Sequence, residues 1–348
     1  MTETSLSHEP LAPPVRPVGR RVLSAAAYSL LAVGMLIVQP VAVFLPAALL
    51  QCGIRNGKRA SWAVLLVMAS AAVLFALAVG QAPQVPRSAA NNWIASLLTV
   101  VLVVGLPAAL ALPLVERGEN FGRVLVFALL VAIAGLLATE VIMQLATGFS
   151  PFAAQVAGAP EASENVIKFY GKMGITIDVL RARQFTNTGI FLLPAVNLMA
   201  AVVNFLLGLL LFGRLPAWRQ YAESRGVPPA TYLFRNFALP EWLLFAFVLG
   251  GLSPLASGTV QRIGVNILLV TAFLYFLQGL AVFRAVVAAG SGAFALFAWG
   301  TLILLTIAPV TGPWRLPPML LGIAGLFDSF FDFRHLNRKD HSDESHSH

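Results

Sequence analysis

Charge is scarce in this chain. Asp, Glu, Lys and Arg make up 11% of its 348 residues, while hydrophobic residues reach 58% before 28 glycines are added. A soluble domain carries about 25% charged residues and about 45–50% apolar ones with glycine included. Too little charge is present here to cover a water-facing surface. Cysteine is scarcer still: Cys52 is the only one, which excludes an intrachain disulfide framework and every multi-cysteine metal spacing. The five histidines fall in the N-terminal tail or after residue 334, and no HExxH, GxSxG or GxxxxGKS/T pattern occurs. Metalloprotease, serine-protease and ATPase chemistry therefore lack their parts, and no catalytic residue, cofactor or metal is expected. The formal charge of +8 does not signal nucleic acid either, because the basic residues sit singly between long apolar runs.

What is present is a series of such runs, at about 22–50, 62–80, 92–115, 124–147, 187–212, 240–256, 263–283, 292–311 and 316–333. A membrane-spanning helix needs about 20 apolar residues, so the fold class is all-α, a polytopic transmembrane helix bundle. The first run holds Pro40 and Pro46 and is too long for one span and too short for two. It predicts a proline-broken N-terminal helical hairpin, followed by about eight spans; a single span there is the second choice. Pro107, Pro194, Pro254 and Pro309 interrupt other runs, and each frees a backbone carbonyl that a neighbouring helix or water must satisfy.

Basic residues set the orientation. Arg55, Lys58 and Arg59 share one short loop, Arg117 and Arg123 another, and Arg214, Arg219, Arg225 and Arg235 a third, with Arg334, Arg338 and Lys339 after the last run. A hairpin start puts all of these on one side with Arg16, Arg20 and Arg21, so both termini are expected in the cytoplasm of a bacterial inner-membrane protein. Residues 1–21 read as a disordered tail, 22–333 as a single transmembrane domain and 334–348 as a second tail. The segment 148–186 is the one sizeable stretch outside the bilayer. Val166, Tyr170, Met173, Ile177 and Leu180 recur there at helical spacing, predicting an amphipathic helix that lies in the interface or closes over a cavity as a lid.

Ionisable and amide groups inside spans are the functional candidates. Glu140 lies in the run 124–147 with Gln144 one turn on, Asn197 and Asn204 share a face of 187–212, and Asn266 and Gln278 lie in 263–283. These six are the expected ligand-binding residues of a polar intramembrane cavity, with hydrogen bonding between helices as the structural alternative. Asp328 and Asp332 are four apart at the chain's end, a spacing that could hold a divalent ion on a diphosphate. No second acidic pair accompanies them, so they read better as pins that pair with Arg334 or another arginine at the membrane boundary. Pro240, Glu241 and Trp242 read as a helix start: proline where an N–H is not needed, an acid at the positive helix end and an indole at headgroup depth.

Three stretches carry a family resemblance: Phe234 to Trp242, Tyr275 to Val282, and Gly325 to Arg334. In that order they resemble the YybS-like membrane proteins of bacteria, and the proline-broken start is distantly similar to the substrate-binding membrane subunits of energy-coupling-factor transporters. The resemblance implies a helical membrane fold and small-molecule binding, and no particular substrate. The expected partners are the lipid bilayer, a small-molecule substrate, and a protein docked on the cytoplasmic basic loops. A membrane scaffold without catalysis is the alternative function, and an intramembrane transferase using the Asp pair the third.

Overall fold

The computed structural model describes residues 18–82, 84–174, 178–288 and 316–331, and among these residues there is no strand. In chain order the helices are α1 (Val18–Ile37), α2 (Leu45–Asn56), α3 (Lys58–Gly80), α4 (Arg87–Thr99), α5 (Leu106–Glu116), α6 (Phe121–Thr147), α7 (Pro151–Lys172), α8 (Val179–Arg214), α9 (Pro216–Ser224), α10 (Leu243–Gly251), α11 (Gly258–Ala288) and α12 (Leu316–Phe331). Six stretches among the described residues are long and apolar enough to cross a membrane: Gly19–Ile37, Lys58–Gly80, Arg87–Glu116, Phe121–Thr147, Thr186–Arg214 and Gly258–Val287. At about 1.5 Å per residue α3 reaches about 34 Å, enough for a hydrocarbon core of about 30 Å. The outward faces of these helices are apolar, as at Leu66, Leu74, Leu137 and Leu145, which suits lipid and not water.

The span count differs from the sequence expectation in two places. Leu243–Leu255 and Pro318–Phe331 are apolar but too short to count as spans. The first is interrupted after Gly251, where Ser253-Pro254-Leu255 turns as a short 3-10 helix. The expected run at 292–311 lies outside the described residues. The N-terminal hairpin forms as expected. Pro40 opens a 3-10 stretch, Gln39–Phe44, and Pro46 sits in the first turn of α2. Asn56 at the end of α2 donates to Ser24 near the start of α1 (3.1 Å), so the two arms run antiparallel. The first arm is itself of span length, and the second is a 12-residue helix whose Leu45, Leu49, Leu50 and Cys52 are all fully buried.

Two compact units divide the chain. The first comprises Met1–Asn120, Val124–Ala154 and Ala201–Leu233, with α2 packed against α1, α3, α5 and α9. Between α4 and α5 the backbone takes a π-helical turn, Val100–Gly105. Leu106 donates to Val101 instead of Leu102, and Pro107 has no N–H to offer. The Leu102 carbonyl lies instead against Gly135 of α6, where any Cβ would overlap it. At one end of this unit Trp218 and Tyr232 are fully buried, their ring centroids 4.9 Å apart. Trp218 donates to the Pro229 carbonyl (3.1 Å) and the Tyr232 hydroxyl to that of Glu119 (3.3 Å). Burial pushes the Tyr232 phenol well above its ordinary pKa, and the Glu119 carboxylate adds to the shift.

The second unit comprises Phe121–Arg123, Gln155–Ala200 and Phe234–His348, with α11 packed against α10 and α12. The amphipathic stripe expected across 166–180 is not one helix. Gly174 adopts a left-handed φ of 75°, which glycine allows without a Cβ clash, and α7 ends just before it. Tyr170 therefore belongs to the end of α7, Met173 to the turn that follows it, Leu180 to α8, and Ile177 lies outside the described residues. Tyr170, Met173 and Leu180 are exposed.

Candidate functional site

Pro194 lies inside α8. Its ring nitrogen cannot donate, so the carbonyl of Ile190 loses its helical partner. Arg262, one turn into α11, donates to that carbonyl (3.3 Å) and lays its guanidinium 5.8 Å from the centroid of the Phe191 ring. Four residues on, Asn266 serves the next pair of backbone groups. Its Oδ1 accepts from the Ala195 N–H (2.9 Å), and its Nδ2 donates to the Phe191 carbonyl (3.1 Å) and to its own helix at Arg262 (2.8 Å). One amide thus bonds both the Ala195 N–H and the Phe191 carbonyl, the backbone groups next to the Pro194 gap, within a helix that runs from Val179 to Arg214. Each of these groups, if left unsatisfied in a buried place, would cost about 1–3 kcal/mol.

A turn past Pro194, Asn197 donates to Gln155 of α7 (3.3 Å), so α7 and α11 are both bonded to this part of α8. Asn197 is half-buried and Asn266 buried. In the sequence Asn197 and Asn266 stand out as amides. Arg262 is not among the residues expected there; its spacing of four from Asn266 is the signal that could have marked it. Asn204, seven residues beyond Asn197, is half-buried on the part of α8 that belongs to the first unit.

Glu140 serves another purpose. Its carboxylate accepts from the Ser150 hydroxyl and from the Phe152 N–H (3.1 Å), while Ser150 itself accepts from Ala153 through its side chain (3.0 Å) and from Ala154 through its carbonyl. Ser150 is the cap of α7, and Glu140 supplies a negative charge at that helix's positive end. Gln144, one turn on, is exposed.

Gln278 is almost fully buried, with 1% of its surface exposed, and joins three segments. Its Oε1 accepts from the Leu239 N–H (3.1 Å), and its amide donates to Asp328 (3.1 Å) and Ser329 (3.3 Å) of α12. Next to it, a Cβ on Gly279 would overlap the Leu321 carbonyl, and one on Gly325 the Tyr275 carbonyl. The helices α11 and α12 therefore cross backbone to backbone, as small residues allow. The three stretches that carry the family resemblance meet at this amide. Asp328 points into the helix contact instead of pinning the helix end at the boundary, while Phe327, Phe330 and Phe331 are exposed. Asp332 and Arg334 lie outside the described residues. Pro240 precedes α10 by a turn, its carbonyl accepting from Leu243 (3.0 Å); Glu241 and Trp242 are exposed. Among the described residues no group of three or more His, Cys, Asp or Glu could hold a metal ion.

The helices and these polar bonds define a multi-pass α-helical membrane protein. The chain belongs to the family described as Predicted membrane protein (DUF2232), which matches residues 24–329. No curated protein and no solved structure matches the chain.

Proposed function

We propose that this is a non-catalytic protein of the bacterial inner membrane, both termini cytoplasmic and residues 22–333 forming one transmembrane domain, that binds a small molecule or helps to move one at the break around Pro194. The observation that supports this reading is the way the proline-containing span is held. Backbone groups around Pro194 are served by side chains of another helix, Arg262 and Asn266, and charged or polar groups gathered within a span mark substrate pathways. The Arg262 guanidinium suits a ligand with a carboxylate or carbonyl group, and the partly exposed Asn197–Gln155 bond gives it a polar approach. Likeness to the YybS-like proteins and to energy-coupling-factor subunits fits the same reading.

The test is mass spectrometry of small molecules retained by the gently extracted protein, compared with Asn197→Ala and Arg262→Gln. One species near stoichiometric in the native protein and lost from both variants is the expected result. Equal retention in all three, or none in any, would sink the proposal. A second reading, the membrane scaffold, is favoured by one observation: both amide hydrogens of Asn266 and both of Gln278 are used within the protein. No transferase role is proposed, because Asp328, the described half of its acidic pair, holds α11 to α12.

A further inference from the structure

The first unit is electrically lopsided. At the end where α2 meets α3 it carries Arg20, Arg21, Arg55, Lys58, Arg59 and Arg117, joined by three arginines between 214 and 225, against Glu116, Glu119 and Glu223. Three contacts place these residues together. Lys58 pairs with Glu116 at 2.9 Å, Tyr232 reaches Glu119, and Asn56 reaches Ser24. The opposite end of the unit's described helices has Arg87 and Glu140. Depth separates this cluster from an ordinary solvated loop. Lys58 is the first residue of one span, Arg214 the last of another, and Arg117 follows the last residue of a third. Arg55 lies in the last turn of α2. Arg55, Arg59, Arg117 and Arg214 are exposed. Charges fixed at span ends sit where lipid phosphates sit, whereas a soluble partner would need them raised above that plane. Trp218 of α9 and Tyr232 are buried and pack α9 onto this end of the unit.

We propose that this end is a binding surface for the phosphate headgroups of anionic phospholipids. It stands independently of the small-molecule reading, since none of its residues touches the Pro194 break. Native mass spectrometry of the full chain, offered phosphatidylglycerol, phosphatidylcholine or inorganic phosphate, counts what is retained. The triple variant Arg55→Gln/Arg59→Gln/Arg117→Gln leaves Lys58–Glu116 intact, and its melting temperature verifies the fold. Phosphatidylglycerol should be retained in preference to phosphatidylcholine, and each charge removed should lower that preference about fivefold, the equivalent of about 1 kcal/mol per basic residue near an anionic surface. Higher salt should weaken it. Equal retention of the two lipids, an unchanged preference in the folded triple variant, or equally strong competition by inorganic phosphate would each overturn the proposal. So would capture of an acidic soluble protein by the same arginines with no lipid preference.

Discussion

Asn266→Ala removes the side chain that bonds the two backbone groups next to the gap left by Pro194. The Ala195 N–H and the Phe191 carbonyl each lose a partner, at about 1–3 kcal/mol per group left unsatisfied. Single interhelical bonds in membrane proteins average about 0.6 kcal/mol, so a loss near that value would mean that the helix re-forms its own bond. The Pro194 ring opposes such closure by crowding the Ile190 carbonyl, and the expected loss is therefore about 2–4 kcal/mol. The decisive comparison adds Pro194→Ala, which removes the ring's clash with the Ile190 carbonyl and lets α8 hold a Phe191-to-Ala195 bond without help from the Asn266 clamp. In that background Asn266→Ala should cost under about 1 kcal/mol, a coupling well above the roughly 0.5 kcal/mol scatter of independent sites. Reversible unfolding in mixed micelles measures all four proteins. An equal loss in both backgrounds would refute the clamp.

Gly279→Ala should destabilise the protein by about 3 kcal/mol, the upper range for overpacking, because its Cβ meets a backbone carbonyl; Gly322→Ala, with nothing within 4 Å, should change the melting temperature negligibly. Glu140→Ala should speed amide exchange at Phe152, Ala153 and Ala154 while leaving the α11–α12 contact protected, and uniform loss of protection would argue against a local cap. The Tyr232 phenol is raised above its ordinary value of 10.0, so the unfolded chain ionises first. Stability from this group is complete below pH 10 and falls as pH rises above it, by up to about 1.4 kcal/mol per pH unit. Tyr232→Phe should flatten that part of the stability curve, and an unaltered slope would place the effect elsewhere.

Much of the fold is legible in the sequence because lipid leaves few choices. Runs of about 20 apolar residues must be helices, and Pro40 and Pro46 mark the hairpin. Two things escape that logic. The interruption of 243–255 and the end of α7 at Gly174 depend on local backbone geometry, which an apolar count averages away. The partners of polar residues are tertiary facts: Glu140 and Gln144 look like a cavity face by spacing, yet Glu140 turns to the Ser150 cap and Gln144 outward. Gln278 beside Gly279 carries a local sign of close helix approach, a small residue next to an amide, and the structure has the helices cross there. That its amide ties Leu239 to Asp328 joins positions 39 and 50 residues away, and no periodicity reports it. Arg262 hides for the same reason, a single charge until Pro194 is placed opposite.

The account rests on Asn266 holding the backbone beside Pro194, and the Ala195 amide, which donates to it, reports on that contact most directly. Residue-resolved hydrogen exchange on the full chain in detergent should find this amide protected, and Asn266→Ala should speed its exchange about 30-fold, the equivalent of about 2 kcal/mol of local opening, with Ala201 and Val202 further along α8 little changed. Exchange at Ala195 that is unaltered by Asn266→Ala, or that rises no more than the rest of α8, would contradict it.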